Sequence, residues 1–90
     1  MSAARNKSVK YQLKFKRRAI KDLKGLSPNV KEKILARIIA MQNVLAGDVK
    51  KLTNFTPEYR LRVRQYRVLF KIEGEIIRIY RVKHRRDAYN

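Results

Sequence analysis

A chain of 90 residues, 44% of them hydrophobic, holds material for one core and not for two, so a single domain over residues 9–90 is expected. With 24 Lys and Arg against 7 Asp and Glu the formal net charge is +17, and a compact body so charged calls for an anionic partner: RNA, DNA, an acidic membrane leaflet or an acidic protein. The lack of cysteine excludes disulfides and thiolate chemistry, and one histidine, His84, is too few for a zinc or iron site, so neither a metal nor a cofactor is expected. The longest apolar run, Ile38-Ile39-Ala40-Met41, is far short of the ~18 residues of a membrane span, and the first residues hold no apolar signal region, which together predict a cytoplasmic protein without a membrane partner.

Residues 1–8 are small, polar and basic without periodicity and read as a flexible basic arm. From Val9 the chain alternates, Val9, Tyr11, Leu13 and Phe15 against Lys10, Gln12, Lys14 and Lys16, the period of a half-buried strand. Ala19, Ile20, Leu23 and Leu26 then recur at helical spacing. Ser27-Pro28 follows, a good N-cap with proline at a first helical position. A second helix carries Val30, Ile34, Leu35, Ile38, Met41 and Leu45 along one stripe and meets Gly47 where a C-terminal cap is expected. Residues 48–58 read as a connection pinned by Val49, Leu52, Phe55 and Pro57, which also holds Lys50 and Lys51. Three segments rich in β-branched and aromatic residues close the chain, Tyr59–Val63, Tyr66–Ile72 and Ile76–Val82, separated by Arg64-Gln65 and Glu73-Gly74-Glu75. The order β-α-α-β-β-β predicts an α+β domain, a four-stranded antiparallel sheet with an N-terminal helical hairpin packed on one face.

A two-residue loop at Arg64-Gln65 sets Val63 opposite Tyr66, Arg62 opposite Arg67, Leu61 opposite Val68 and Arg60 opposite Leu69. One face is then apolar, and the other carries Arg60, Arg62, Arg67, Leu69 and Lys71. If Glu73-Gly74 closes the next hairpin, Ile77 and Ile79 join the apolar face while Arg78 and Tyr80 join the basic one, Tyr80 beside Arg67. Opposed like charges cost a few tenths to about 1 kcal/mol per pair, so a sheet built only to fold would place glutamate there. Planar guanidinium forks suit phosphate, and a tyrosine among them offers a base a surface to stack on, which favours RNA over a membrane. Beyond the last strand, Lys83-His84-Arg85-Arg86-Asp87-Ala88-Tyr89 gathers the histidine, three cations and a tyrosine in seven residues. An ordinary solvated face, a structural histidine and a core-forming helix stripe are the plain alternatives for these features.

Taken as a set, Tyr59-Arg60-Leu61-Arg62-Val63, Tyr66-Arg67-Val68-Leu69-Phe70 and Arg81-Val82-Lys83-His84-Arg85-Arg86-Asp87-Ala88-Tyr89 resemble the signature blocks of the RelE/ParE toxin superfamily, and the helical hairpin fits as well. The resemblance implies the toxin of a type II toxin–antitoxin pair of the RelE kind: an endoribonuclease that cuts messenger RNA in the ribosomal A site by attack of a ribose 2′-hydroxyl on the adjacent phosphate. It also implies a small antitoxin partner, which the charge predicts to be acidic and to fold on binding. Carried over residue by residue, Arg60 and Arg62 match the basic pair of the second strand, Arg67 the arginine of the third, Tyr89 the tyrosine near the C-terminus, and His84 or Arg85 the remaining basic site. Fixed positive charge, above all from Arg67, would stabilise the pentavalent phosphate. Arginine at position 62 does not release a proton, which moves acid–base work to His84 or Tyr89. The expected catalytic set is therefore Arg62, Arg67, His84, Arg85 and Tyr89, with Lys50, Lys51, Arg60, Arg78, Tyr80 and Arg86 binding RNA. Two other readings stay open: a ParE-like toxin acting on DNA gyrase, and a non-catalytic basic module that binds RNA or the ribosome.

Overall fold

The computed structural model of the chain describes residues 10–89; the arm expected over residues 1–8 lies outside the described residues. The elements are β1 (Gln12–Phe15), α1 (Arg17–Lys24), α2 (Pro28–Val44), β2 (Asp48–Lys51), β3 (Tyr59–Val63), β4 (Tyr66–Glu73) and β5 (Ile76–His84). They form one five-stranded sheet in the order β1-β5-β4-β3-β2. Two features of the expected sheet are corrected. It has a fifth strand, since Asp48–Lys51 pairs antiparallel with β3, and it is mixed, since β1 lies parallel to β5. Asp48-Val49-Lys50-Lys51 has one apolar residue and no alternation to betray it; backbone pairing with β3 makes the strand. The direction of β1 is set by the helical hairpin, which leaves β1 at one edge of the sheet and delivers β2 at the other.

Local chemistry fixes the element ends. Among the described residues β1 begins at Gln12, because the backbone of Tyr11 is taken by α2: its N–H donates to the Gln42 carbonyl at 2.7 Å, and Gln42 Nε2 donates back to the Tyr11 carbonyl at 3.0 Å; Val9, the expected start, lies outside the described residues. Ser27 precedes α2 with an extended backbone, and Pro28 occupies its first turn, where a missing N–H costs nothing. The cap at the other end is Leu45, left-handed at φ 54°, with its N–H on the Met41 carbonyl. Gly47, the expected cap, serves a close approach instead: at φ 113° a Cβ there would lie 2.9 Å from Leu61 Cδ1.

The hairpin packs on one face as expected. Ala19 and Leu23 of α1 and Ile34, Ile38 and Met41 of α2 bury against Leu61, Val68, Phe70, Ile77 and Ile79 of the sheet. Full burial of the side chains larger than alanine contributes on the order of 1.5–3 kcal/mol each. Tyr59 stacks on Phe70 across the β3–β4 pair, ring centroids 5.5 Å apart.

Where β1 ends, α1 takes over its edge. The last ladder bond runs from Lys16 N–H to the Ile79 carbonyl at 2.8 Å. Beyond it the Val82 N–H donates to Asp22 Oδ2 at 2.9 Å, and Arg81 grips the same carboxylate through Nε at 2.8 Å and Nη2 at 3.1 Å. Burial pushes the Asp22 carboxyl up, but the Arg81 hydrogen bond, the Val82 N–H and the charges of Arg81 and Arg18 outweigh it and hold the group below its usual 3.8. The same pairing raises the Arg81 guanidinium.

Two outcomes are expected in urea unfolding. Asp22→Ala lowers stability by about 2 kcal/mol at neutral pH, because it leaves Arg81 and an edge N–H unpaired. A folded-state carboxyl held below 3.8 contributes its full share above that value and loses it as pH falls through the lower, folded value, so the gap between the two proteins closes in acid. The second outcome concerns the β3–β4 loop, where Arg64 sits at φ 55°, a conformation glycine adopts without strain. Arg64→Gly is expected to raise the stability by up to about 1 kcal/mol, and an unchanged or lower midpoint would contradict it.

Candidate nucleic-acid interface

The β3–β4 register is the expected one, Arg62 opposite Arg67 and Arg60 opposite Leu69. The β4–β5 register is not. The turn is Gly74-Glu75, so Glu73 faces Ile76 and Lys71 faces Arg78, and a register shift between Leu69 and Phe70 leaves Tyr80 unpaired as a bulge. Past the bulge the faces exchange. Val82 turns into the core, while Lys83 comes to lie opposite Arg67 and Arg81 opposite Leu69. Strict alternation from Ile77 and Ile79 would put Lys83 under the helices and His84 among the cations; the bulge reverses both.

The outer face, away from the helices, therefore carries two rows that cross the strands. The first is Asp48, Arg62, Arg67 and Lys83; the second is Lys50, Arg60, Leu69 and Arg81. Asp48 braces the start of both. Its Oδ1 accepts from Arg60 Nη1 at 3.2 Å and its Oδ2 meets Arg62 Nη2 at 2.6 Å, while its carbonyl accepts from Arg60 Nη1 at 3.0 Å. The Arg60 hydrogen bond, then the charges of Arg62 and Arg60, hold the Asp48 carboxyl below the usual range despite partial desolvation. Arg67 folds back on the loop, its Nη1 donating to the carbonyls of Arg64 at 3.1 Å and Tyr66 at 3.0 Å. Its guanidinium is thereby fixed at the hairpin end of the first row.

Leu69 faces outward yet is only 3% exposed, and Ala88, in the turn after β5, is 1% exposed. Tyr89 follows with its ring edge-on to Phe55, centroids 5.4 Å apart. The turn thus crosses the outer face, and Tyr89 closes a hollow of about 320 Å³ lined by Lys50, Leu52, Thr53, Phe55 and Arg60. Tyr89 itself remains 46% exposed.

The sequence-derived site residues divide accordingly. Arg60, Arg62 and Arg67 share the outer face with Lys50, and Tyr89 joins them from the C-terminal turn. Lys51 pairs with Tyr59 and so points to the other side of its strand from Lys50. Tyr80 is not beside Arg67. It sits between Lys16 Nζ at 5.1 Å and Lys71 Nζ at 5.8 Å from its centroid. Arg78 is paired with Glu73 at 2.9 Å, toward the far end of the sheet. His84 faces the helix side, edge-on to Tyr66 at 5.5 Å, in a cleft of about 270 Å³ shared with Asn29, Val30 and Lys33 of α2. Arg85 and Arg86 are exposed in the turn; the Arg85 N–H donates to the Gln65 carbonyl at 2.7 Å and the Arg86 N–H to His84 Nδ1 at 3.2 Å.

Sequence reasoning missed Lys83, Asp48 and Phe55. Lys83 was visible as one cation among several in the C-terminal stretch, but its face depends on the bulge. Asp48 and Phe55 lie in what reads as a connection. No group of three or more His, Asp or Glu able to hold a metal ion occurs among the described residues, and no helix among them is long and apolar enough to cross a membrane.

Chemically, the outer face offers fixed guanidinium and ammonium groups, a partly exposed phenol and a hollow beside it. That is an arrangement for holding phosphate and an unstacked base. The comparisons agree with a toxin of this build. The family described as the ParE toxin of type II toxin–antitoxin system, parDE, matches residues 13–89. Toxin RelE3 of Methanocaldococcus jannaschii is 32% identical over 81 residues, 84% of this chain and 92% of its own length. Among solved structures, the RelB–RelE antitoxin–toxin complex from Methanococcus jannaschii is matched at 31% identity with a TM-score of 0.71, over 84% of this chain and 94% of that one. The ParDE system of P. aeruginosa shares the fold at 20% identity and a TM-score of 0.66, over 86% of this chain and 98% of that one. With the matched region running from β1 through both helices and the whole sheet to Tyr89, the chain belongs to the RelE/ParE family of toxins of type II toxin–antitoxin systems.

Proposed function

We propose that this toxin is a metal-independent endoribonuclease of the RelE kind, cutting messenger RNA in the ribosomal A site and so arresting translation in the cytoplasm. The observation that carries the reading is the row Arg62–Arg67–Lys83, three cations side by side on three hydrogen-bonded strands, with Tyr89 brought to the same face. A sheet surface needs no such row to fold.

In this reading the ribose 2′-oxygen attacks the adjacent phosphorus, its proton passing to a base, and the bond from phosphorus to the 5′-oxygen breaks as that oxygen gains a proton. The products are a 2′,3′-cyclic phosphate and a 5′-hydroxyl. Arg67 and Lys83 stabilise the charge on the pentavalent phosphate, with Arg62 beside them, and a fixed array of this kind supplies several kcal/mol. Tyr89 exchanges the proton, and its ring and the hollow beneath it take the neighbouring base. Arg85 and Arg86, exposed in the turn, extend the contact to the flanking backbone, as do Lys50 and, farther along the sheet, Arg78 and Tyr80. The cognate antitoxin is an acidic segment that folds over the same cations. The RelE-named relative supports the activity, and the RelB–RelE complexes support such a partner.

A second reading is a toxin that acts on DNA gyrase, favoured by the matching family description, which is that of ParE. Primer extension on a translated message separates the two. Wild-type toxin is expected to produce cuts inside the reading frame, and Arg67→Ala to lose them by on the order of 10²–10³-fold. An intact message beside growth arrest and impaired supercoiling would move the assignment to gyrase. Lys83→Ala is expected to weaken binding of single-stranded RNA and to flatten the plot of log affinity against log salt by about 0.7. An unaltered slope would remove Lys83 from the interface.

A further inference from the structure

The histidine of this chain faces away from the cationic row. We infer that His84 is a positioning residue for Tyr89: its imidazole closes the turn that carries the tyrosine onto the outer face, and it takes no part in proton transfer. The inference rests on the ribonuclease reading above.

Three consecutive amides leave the end of β5, and each has a partner. The Arg85 N–H donates to the Gln65 carbonyl at 2.7 Å, and the Asp87 N–H to the His84 carbonyl at 2.8 Å. Between them the Arg86 N–H donates to His84 Nδ1 at 3.2 Å. A side chain that accepts the N–H two residues ahead is the geometry of an Asx turn, with an imidazole nitrogen where asparagine would offer its oxygen. A nitrogen that accepts an N–H carries no proton. The ring proton therefore sits on Nε2, 3.3 Å from Gln65 Oε1, and both ring nitrogens are engaged.

Position agrees with bonding. Val63, Tyr66 and His84 form one cross-strand row on the helix side, while Arg62, Arg67 and Lys83 form the next row on the outer side. A general base must come within hydrogen-bond reach of the proton it takes, and a ring on the helix side with both nitrogens occupied does not meet that condition. What the ring reaches is the turn. Five residues after His84, Tyr89 lies against Phe55 at the hollow that Arg60 lines. Releasing the Arg86 N–H frees that turn, and a displacement of about 1 Å at a reacting group costs on the order of 10²-fold in rate.

Asparagine at position 84 keeps an acceptor for the Arg86 N–H but has no imidazole; alanine keeps neither. Purified wild type, His84→Asn and His84→Ala are compared by primer extension in a reconstituted translation reaction across a range of pH, with amide hydrogen exchange at Arg86 measured in parallel. The alanine variant is expected to cut on the order of 10²-fold more slowly. The asparagine variant is expected to stay within about threefold of wild type, with a superimposable pH profile and a protected Arg86 amide. An asparagine variant as slow as the alanine one, or lacking a limb of the wild-type pH profile, makes the imidazole a proton carrier and overturns the inference. So does an alanine variant that cuts like wild type. A wild type that leaves the message intact overturns the ribonuclease reading instead, and exchange at Arg86 then still decides whether His84 holds the turn.

Discussion

Three cations share one line across the sheet, Arg62, Arg67 and Lys83, and the rest of the outer face is arranged around their repulsion. Each directly opposed pair costs a few tenths to about 1 kcal/mol. The acids that answer this charge stand around the row. Asp48 braces Arg60 and Arg62 from the edge strand, Asp22 holds Arg81 from α1, and Glu73 takes Arg78 at the far end. Lys71 is 3.8 Å from Glu58. Neither Arg67 nor Lys83 has a carboxylate partner among the described residues. Arg67 is steadied by two backbone carbonyls instead, which orient a guanidinium without neutralising it. The result is a face whose rim is compensated and whose centre is not, the distribution expected of a surface that meets an anion.

The second constraint is the bulge at Tyr80. One extra residue in β5 exchanges the faces of everything after it, so it decides which of Lys83 and His84 meets Arg67. With the bulge, Val82 continues the core, and Arg81 reaches Asp22 at the sheet edge that β1 has left open. Without it, Val82 would face solvent and Lys83 would enter the core. Burying an ammonium group unpaired is far costlier than a local break in the ladder, so the bulge is the arrangement the side chains require.

Much of this was legible in the sequence. The β3–β4 register followed from two apolar strands around a two-residue loop, and with it the facing of Arg62 on Arg67. The helical hairpin followed from its apolar spacing and the Ser27-Pro28 junction. What was hidden depends on contacts between distant segments. β2 has no pattern of its own, and the parallel placement of β1 beside β5 depends on where the helices return the chain. The β4–β5 register slipped by two residues because Glu73-Gly74 and Gly74-Glu75 are equally good turns on paper; only the second puts glycine first, at φ 63°. A slip of two preserves the faces, which is why Ile77 and Ile79 were placed correctly. The slip alone parts Tyr80 from Arg67, while the bulge shifts by one and does not preserve the faces, so the facing of Lys83 and His84 was not legible from the alternation.

The Arg64-Gln65 loop joins these threads. The Arg64 carbonyl receives Arg67, the Gln65 carbonyl receives the Arg85 N–H, and Gln65 Oε1 meets the His84 ring, so the hairpin tip supports both the cationic row and the C-terminal turn. The first two contacts use backbone carbonyls of the loop as acceptors and would survive with glycine at position 64, which suits φ 55° better. The arginine side chain is therefore not required by the loop. It adds positive charge at the mouth of the cleft that Lys33, Tyr66 and His84 also line. A residue that strains its own turn while adding positive charge follows the same rule as the row itself: at this end of the sheet, positive potential takes precedence over stability.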